Sequence, residues 1–288
     1  MKIFLNGKLV DKSHATVSVF DHGLLYGDGV FEGIRSYGRL IFKLDEHLDR
    51  LFESAKAIEL GMPMTRDELT KAVIKTLKAN KLEDGYIRLV ITRGAGDLGL
   101  DPRKCKAATV FIITDKIMFY PDEYYKRGLH VIIAKTKRNL KDALNPQIKS
   151  LNYLNNILGK IEAIKAGKEE AIMLSNEGYV AECTGENIFI VKDGMLFTPP
   201  PDIGALKGVT RLAVIGIAKK DKITVKEELI KPEDLYAADE CFLTGTAAEI
   251  VSVTKIDEHV IGDGRSGKLT GKLLKEFRKL TKTEGVKY

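Results

Sequence analysis

The chain has 288 residues, 44% hydrophobic and 30% charged, which is ordinary for a globular protein and excludes disorder as its main state. At roughly 100–200 residues per domain it holds one large or two modest domains. The net charge of +6, from 46 basic against 40 acidic residues, is spread along the chain, so nothing marks a nucleic-acid partner.

Ile3 to Val10 reads as a hairpin about Asn6-Gly7, because both turn positions want positive φ. Val17 to Val19 looks like a strand. Val30 to Tyr37 and Leu40 to Phe42 form a second hairpin about Gly38. From Leu44 to Leu60 apolar residues recur at helical spacing, and Gly61 and Pro63 stop the helix. Thr65 to Asn80 is a second helix, with Thr65 and Glu68 as a capping box. Tyr86 to Thr92 and Thr109 to Thr114 are strand-like. Residues 118–127 carry Pro121 and tyrosines without a period and read as a linker. Then follow strand Leu129 to Lys135, a polar loop and helix Leu151 to Ala166. Strands Ala171 to Ser175 and Tyr179 to Glu182 come next, then a hairpin of Asn187 to Lys192 and Met195 to Phe197 about Asp193-Gly194. Helix Val209 to Lys219, strands through Thr254 and helix Lys268 to Lys282 complete the chain. Strands and helices mix throughout, giving an α/β (α+β) fold. The expected domains are 1–117, small and N-terminal, and 128–288, larger and C-terminal.

No apolar run approaches the roughly 20 residues of a membrane span, and Asn6-Gly7 comes too early for a signal peptide. Cys105, Cys183 and Cys241 show no CxxC spacing, so neither a disulfide framework nor a metal site is expected. A cytoplasmic location follows. Tryptophan is absent and Gln147 is the single glutamine, a bias shared with proteins from hot environments.

A few positions could carry chemistry. Lys149 lies in Asn145 to Asn156, where it is the only charge. Such a lysine can be desolvated, which lowers its pKa and suits attack on a carbonyl, or it can be a surface loop lysine. Gly208-Val209-Thr210 opens an apolar helix and can offer backbone N–H groups to a phosphate, or be capped by Thr210 or a neighbour. Arg50 can grip a phosphate or pair with Glu46 four residues earlier. Glu182 and Glu186 flank a glycine turn, as an acid–base pair or as an exposed hairpin end. Thr244 to Glu249 is a small-residue turn that lets a ligand approach the backbone. Gly27-Asp28-Gly29 lacks the third glycine of a dinucleotide fingerprint. Cys183 is read as packing and His22 as structural. A carbonyl-binding lysine, a phosphate cradle and an acid together are what a pyridoxal phosphate (PLP) enzyme needs.

The order of segments resembles the class IV (fold type IV) PLP aminotransferases, with the branched-chain amino acid aminotransferases most similar. The likeness rests on Tyr26 to Arg35 (YGDGVFEGIR), His47 to Leu51, Tyr86-Ile87-Arg88, Ile148 to Tyr153, Glu182 to Asn187, Lys207 to Arg211 and Gly245 to Glu249. It covers nearly the whole chain.

The resemblance implies a small N-terminal α/β domain and a larger pseudo-barrel domain. Lys149 would attach PLP covalently and shuttle a proton between the substrate Cα and the cofactor. Glu182 would pair with the pyridine nitrogen and Tyr153 with the phenolate oxygen. Arg50, the N–H groups of Val209 and Thr210, and the Thr246 hydroxyl would hold the phosphate. The substrate carboxylate would lie over Thr246, Ala247 and Ala248, with Phe31 lining an apolar pocket. Tyr26, Tyr86 and Arg88 would face the substrate, Arg88 toward the distal carboxylate of glutamate. Small amino acids and 2-oxo acids are the implied partners, in a homo-oligomer whose Gly96 to Asp101 loop helps close a neighbour's pocket.

D-amino acid aminotransferases share Gly27 to Val30, Ile91 to Gly94 and Lys149 to Asn152. Phe31 to Arg35, Tyr86 to Arg88, Gly96 to Leu100 and Gly245 to Glu249 look branched-chain-like instead. Aminodeoxychorismate lyase shares the fold but runs a β-elimination. A non-catalytic binding protein would be signalled by loss of Lys149 or Glu182, and both are present.

Overall fold

In the computed structural model the described residues are 1–116 and 120–288. The backbone divides into two compact units: residues 1–117, 148–152 and 281–288, and residues 118–147 and 153–280.

The first unit contains β1 (Lys2–Leu5), β2 (Lys8–Asp11), α1 (His22–Tyr26), β3 (Gly29–Tyr37), β4 (Leu40–Phe42), α2 (Leu44–Ala57), α3 (Arg66–Ala79), β5 (Gly85–Thr92), β6 (Thr109–Asp115) and, at the end of the chain, β16 (Gly285–Lys287). These strands form one sheet in the order β16-β4-β3-β5-β6-β1-β2. Asn6 and Gly7 both take positive φ, 44° and 88°, so the β1–β2 turn is the one their identities favour. α2 buries Leu44, Leu48, Leu51 and Ala55, and α3 buries Leu69, Val73 and Leu77. These stripes pack with Ile34, Ile87, Leu89 and Ile112 of the sheet. Thr65 and Glu68 make the expected capping box at the start of α3.

The second unit contains α4 (Asp122–Arg127), β7 (Leu129–Ile133), α5 (Leu154–Lys165), β8 (Glu170–Leu174), β9 (Val180–Cys183), β10 (Asn187–Lys192), β11 (Met195–Thr198), α6 (Val209–Lys220), β12 (Val225–Glu227), α7 (Pro232–Tyr236), β13 (Glu240–Gly245), β14 (Glu249–Ile256), β15 (His259–Val260) and α8 (Lys268–Leu280). Its sheet runs β12-β11-β10-β13-β14-β7-β8-β9, with β15 on β14. Leu129, Val131, Ile172, Val180, Ile188, Leu243, Val251 and Val253 form its core. β8, β9 and all but the last residue of β10 are buried throughout, the polar Glu170, Glu182 and Asn187 among their apolar residues.

The structure departs from the sequence expectations in four places. Val17 to Val19 is not a strand; Val17 and Val19 are exposed and have no ladder to join. The helix expected from Leu151 begins at Leu154, because the preceding backbone bonds to β3 instead: Phe31 N–H donates to the Lys149 carbonyl and Leu151 N–H to that of Gly29. That strip and β16, paired with β4, assign residues 148–152 and 281–288 to the first unit rather than to a continuous domain over 128–288. The expected linker starts at residues 118–119, outside the described residues; Pro121 then caps α4, a two-turn helix.

Candidate active site

In the first unit, α2 carries His47 and Arg50, three residues apart and so on one face. Both meet Glu32 of β3, which is wholly buried. The Arg50 fork donates through Nε to Glu32 Oε1 at 2.7 Å and through Nη2 to Oε2 at 2.8 Å. His47 Nδ1 lies 2.7 Å from the same Oε2. Burial alone would raise the Glu32 acid, but the Arg50 and His47 interactions together outweigh it and hold the carboxyl well below its usual range. Burial, only partly offset by Glu32, pulls His47 down, so its ring donates as a neutral imidazole. Arg50 therefore does not pair with Glu46. Glu46 binds Lys43 Nζ at 2.8 Å, since Arg50 points to the buried side of α2 and Glu46 to the solvent side.

One turn beyond Arg50, Ser54 Oγ accepts the Lys149 backbone N–H at 3.1 Å. With the Phe31–Lys149 bond and the Val30–Ser150 bridge, this fixes the lysine's backbone from two sides. Lys149 is half-buried and its Nζ lies 4.6 Å from the centre of the Phe31 ring. The Arg88 guanidinium lies over the same ring at 4.7 Å and donates to the Tyr86 hydroxyl at 3.0 Å. A side chain at Gly33 would begin 2.2 Å from that hydroxyl, so glycine is needed for Tyr86 to lie there. Phe31, Arg50, Tyr86, Arg88 and Lys149 thus gather about β3. Tyr26, at the end of α1, donates instead to the Leu98 carbonyl at 2.6 Å, and its ring meets His22 edge-on. His22 is buried and bonds through Nε2 to the Asp97 carbonyl, the structural role expected of it.

The second unit holds the other group. Glu182 of β9 is buried, and Oε1 meets Arg138 Nη2 at 2.8 Å. Its Oε2 accepts from Leu206 N–H at 2.9 Å and from Asn187 Nδ2 at 3.3 Å. Arg138 is fixed in turn by the Gly204 carbonyl and the side-chain oxygens of Asn155 and Asn156. Near Asn187, Gly208 opens α6 with no side-chain cap, and Val209 and Thr210 are buried behind it. Neither Thr210 nor a neighbour caps the helix, so its first N–H groups keep their donor capacity. A side chain at Gly208 would begin 2.0 Å from Asn187 Oδ1. β13 ends at Gly245, and Thr246 and Ala247 are half-buried in the turn before β14. Ala248 is buried, its carbonyl held by the Tyr125 hydroxyl at 2.9 Å. Beside this turn the Thr244 hydroxyl is buried without a hydrogen-bond partner among the described residues. Tyr153 is half-buried just before α5. Burial, then neighbouring acids, push the Cys183 thiol well up, which fits packing rather than nucleophilic work.

The model of the amino-transferase class IV family matches residues 29–256. The chain belongs to the class IV aminotransferases, in their branched-chain group. It is 52% identical over 287 residues, 100% of this chain and 99% of the relative, to a Methanocaldococcus jannaschii protein named, provisionally, a branched-chain-amino-acid aminotransferase. The crystal structure of the Escherichia coli branched-chain amino acid aminotransferase matches with a TM-score of 0.95 and 37% identity, over 97% of this chain and 94% of that one. The branched-chain amino acid aminotransferase from Thermobaculum terrenum, in its PLP-bound holo form, matches with a TM-score of 0.88 and 32% identity, over 97% and 93%. This aminotransferase therefore has the fold that its sequence resembles.

Two of its residues escape the sequence reading as individuals. Glu32 is visible there only as an acid inside a strand whose first half is otherwise uncharged. Arg138 sits among Lys135, Lys137 and Lys141, and nothing local marks it as a partner for a residue 44 positions away.

Proposed function

We propose that this aminotransferase exchanges the amino group of branched-chain L-amino acids with 2-oxoglutarate, giving 2-oxo acids and L-glutamate, with PLP as cofactor in two successive half-reactions. One observation carries the assignment of the reacting amine. Lys149 is held by α2 and β3, beside Arg50's helix and over Phe31, in a chain whose relatives are branched-chain aminotransferases. PLP, when bound, supplies an electron-withdrawing ring that lets the substrate Cα give up its proton.

The residues present suit that group. Glu182 can bond a protonated ring nitrogen, and Arg138 holds its carboxylate in place. The uncapped start of α6 can take phosphate oxygens on Val209 and Thr210 N–H, with Thr246 Oγ as a further donor in the same unit. For Arg50, in the first unit, a phosphate role is proposed from the resemblance alone. Tyr153 would donate to the phenolate oxygen. Lys149 Nζ would take the proton from Cα and return it. Its backbone anchors limit that motion to the side chain.

Phe31 would supply the apolar wall for an aliphatic side chain. Arg88, braced by Tyr86, would take the distal carboxylate of glutamate, and Tyr26 would border the substrate side. The turn Thr246-Ala247-Ala248 would receive the α-carboxylate. In a homo-oligomer, the loop Gly96 to Asp101, with Leu98 and Leu100 exposed, would close a neighbouring subunit's pocket. The enzyme would work in the cytoplasm; among the described residues no helix is long and apolar enough to cross a membrane.

The test is a half-reaction. The protein is purified with PLP, L-leucine, L-glutamate and D-alanine are added singly, and the visible cofactor band is followed. Bleaching by both L-leucine and L-glutamate is expected. Bleaching by D-alanine alone would overturn the reading in favour of D-amino acid transfer.

A further inference from the structure

Glu186 lies in the short turn between β9 and β10, and it is buried rather than at an exposed hairpin end. Its backbone carbonyl accepts the Cys183 N–H at 2.8 Å, and Thr184 of the same turn donates to Glu170 Oε1 through both its N–H and its hydroxyl. This brings the Glu186 carboxyl beside that of Glu170, where a hydrogen bond between them raises the Glu186 acid. Two carboxyls can bond to one another only if one keeps its proton. The donors around Glu170 decide which. Its Oε1 accepts from Ala171 N–H at 2.8 Å, from Thr184 N–H at 3.1 Å and from the Thr184 hydroxyl. Its Oε2 meets Lys160 Nζ at 2.9 Å. Glu170 is thus surrounded as a carboxylate. Glu186 Oε2, by contrast, is buried with no hydrogen-bond partner among the described residues, a poor setting for a negative charge.

The other titratable neighbours do not change this. They are Cys183 on β9, Tyr120 ahead of α4 and Lys160 on α5. Burial, and then the nearby acids, push both the Tyr120 phenol and the Cys183 thiol up, so neither is ionised near neutrality. Lys160 lies against Glu170. Burial and the Glu170 charge likewise raise the Glu186 acid.

Glu186 also lies against the end of β13. A side chain at Gly245 would begin 3.1 Å from Glu186 Cγ, and the next residue, Asn187, pairs with Thr244 across the sheet. Gly245 leads directly into Thr246-Ala247-Ala248.

We propose that Glu186 is a positioning residue that works as a neutral acid. By donating its proton to Glu170 it holds Gly245 and the following turn in the form that receives the substrate α-carboxylate. This rests on the transamination reading, which assigns that turn its ligand. An ionised Glu186 would set a second negative charge beside Glu170 and behind a turn built for an anion.

The test compares full-length wild type, Glu186→Gln and Glu186→Ala with PLP bound. Infrared difference spectra between wild type and the Gln variant at neutral pH should show a protonated-carboxyl band from the wild type only. In steady-state kinetics, Glu186→Ala should raise KM for L-leucine about tenfold with a smaller change in kcat, because Glu170 loses its donor. Glu186→Gln, which still donates an N–H, should stay within about threefold of wild type. A missing band alongside normal turnover would sink the neutral acid. Equal KM losses in both variants would sink the positioning role even with the band present. A wild type with the band but no turnover of L-leucine would remove the ligand from the turn, and with it the reading on which the role rests.

Discussion

Glu32→Gln is the substitution whose cost can be worked most fully from the structure. It leaves the side chain's size unchanged but removes the charge that faces Arg50 and His47. Arg50 is only 11% exposed, so its cation cannot turn to water for compensation. Breaking a buried ion pair by removing one partner costs about 3–5 kcal/mol. The amide oxygen can still accept one of the former bonds, so a loss near 3 kcal/mol is expected. The pH dependence has a definite sign. Glu32 is held well below its ordinary value of 4.5, so its contribution is fully present above that value and fades as the pH falls. At 1.36 kcal/mol per unit, about 2 kcal/mol of the difference between wild type and variant should vanish between pH 4.5 and pH 3. Urea unfolding followed by circular dichroism at pH 7, 4.5 and 3 measures this. A loss at pH 7 below about 1 kcal/mol, the worth of a surface pair, would refute the reasoning. So would a difference that is the same at pH 7 and pH 3.

Three further outcomes are expected. Lys149→Ala should abolish transamination and the visible cofactor band; turnover near the wild-type rate, read by a coupled assay, would remove Lys149 from its role. Arg88→Ala should slow the 2-oxoglutarate half-reaction at least about tenfold more than the L-leucine half-reaction, as loss of a charged hydrogen bond predicts. Equal losses in stopped-flow traces would count against the distal-carboxylate assignment. Gly208→Ala should cost about 1–3 kcal/mol in thermal unfolding and weaken PLP binding in a titration, because its Cβ would displace Asn187 from Glu182 and Leu206.

The elements legible in the sequence are those decided locally. α2 and α3 follow from apolar stripes at helical spacing, and the Asn6-Gly7 turn follows from two residues that tolerate positive φ. What is not legible depends on partners far along the chain. Residues 151–153 carry a pattern that continues into α5, yet β3 takes up the Leu151 N–H through the Gly29 carbonyl, and no local period records that competition. Val17 and Val19 have strand propensity but no neighbouring ladder, and propensity without pairing does not make a strand. The site shows the same division. Lys149 stands out because its neighbours carry no charge, whereas the partners of Arg50 and Glu182 lie 18 and 44 residues away.

Those distant partners explain how the chain can hold its charged groups ready before any ligand arrives. A buried charge without a counter-charge or hydrogen bonds costs several kcal/mol, so an unbalanced site would relax or change protonation. Here each group is balanced within its own unit: Arg50 by Glu32, Glu182 by Arg138, Glu170 by Lys160, and the Arg88 and Lys149 cations by the face of Phe31. The balance also orients. Glu32 occupies Nε and Nη2 of Arg50, and Arg138 meets one oxygen of Glu182 while Leu206 and Asn187 meet the other, so each charged group is fixed in angle as well as place. The same logic makes Glu186 the exception that needs a proton: it is the buried acid beside a carboxylate that already holds Lys160. Removing a balancing residue should therefore disturb function through geometry, even where the residue itself would touch neither substrate nor cofactor.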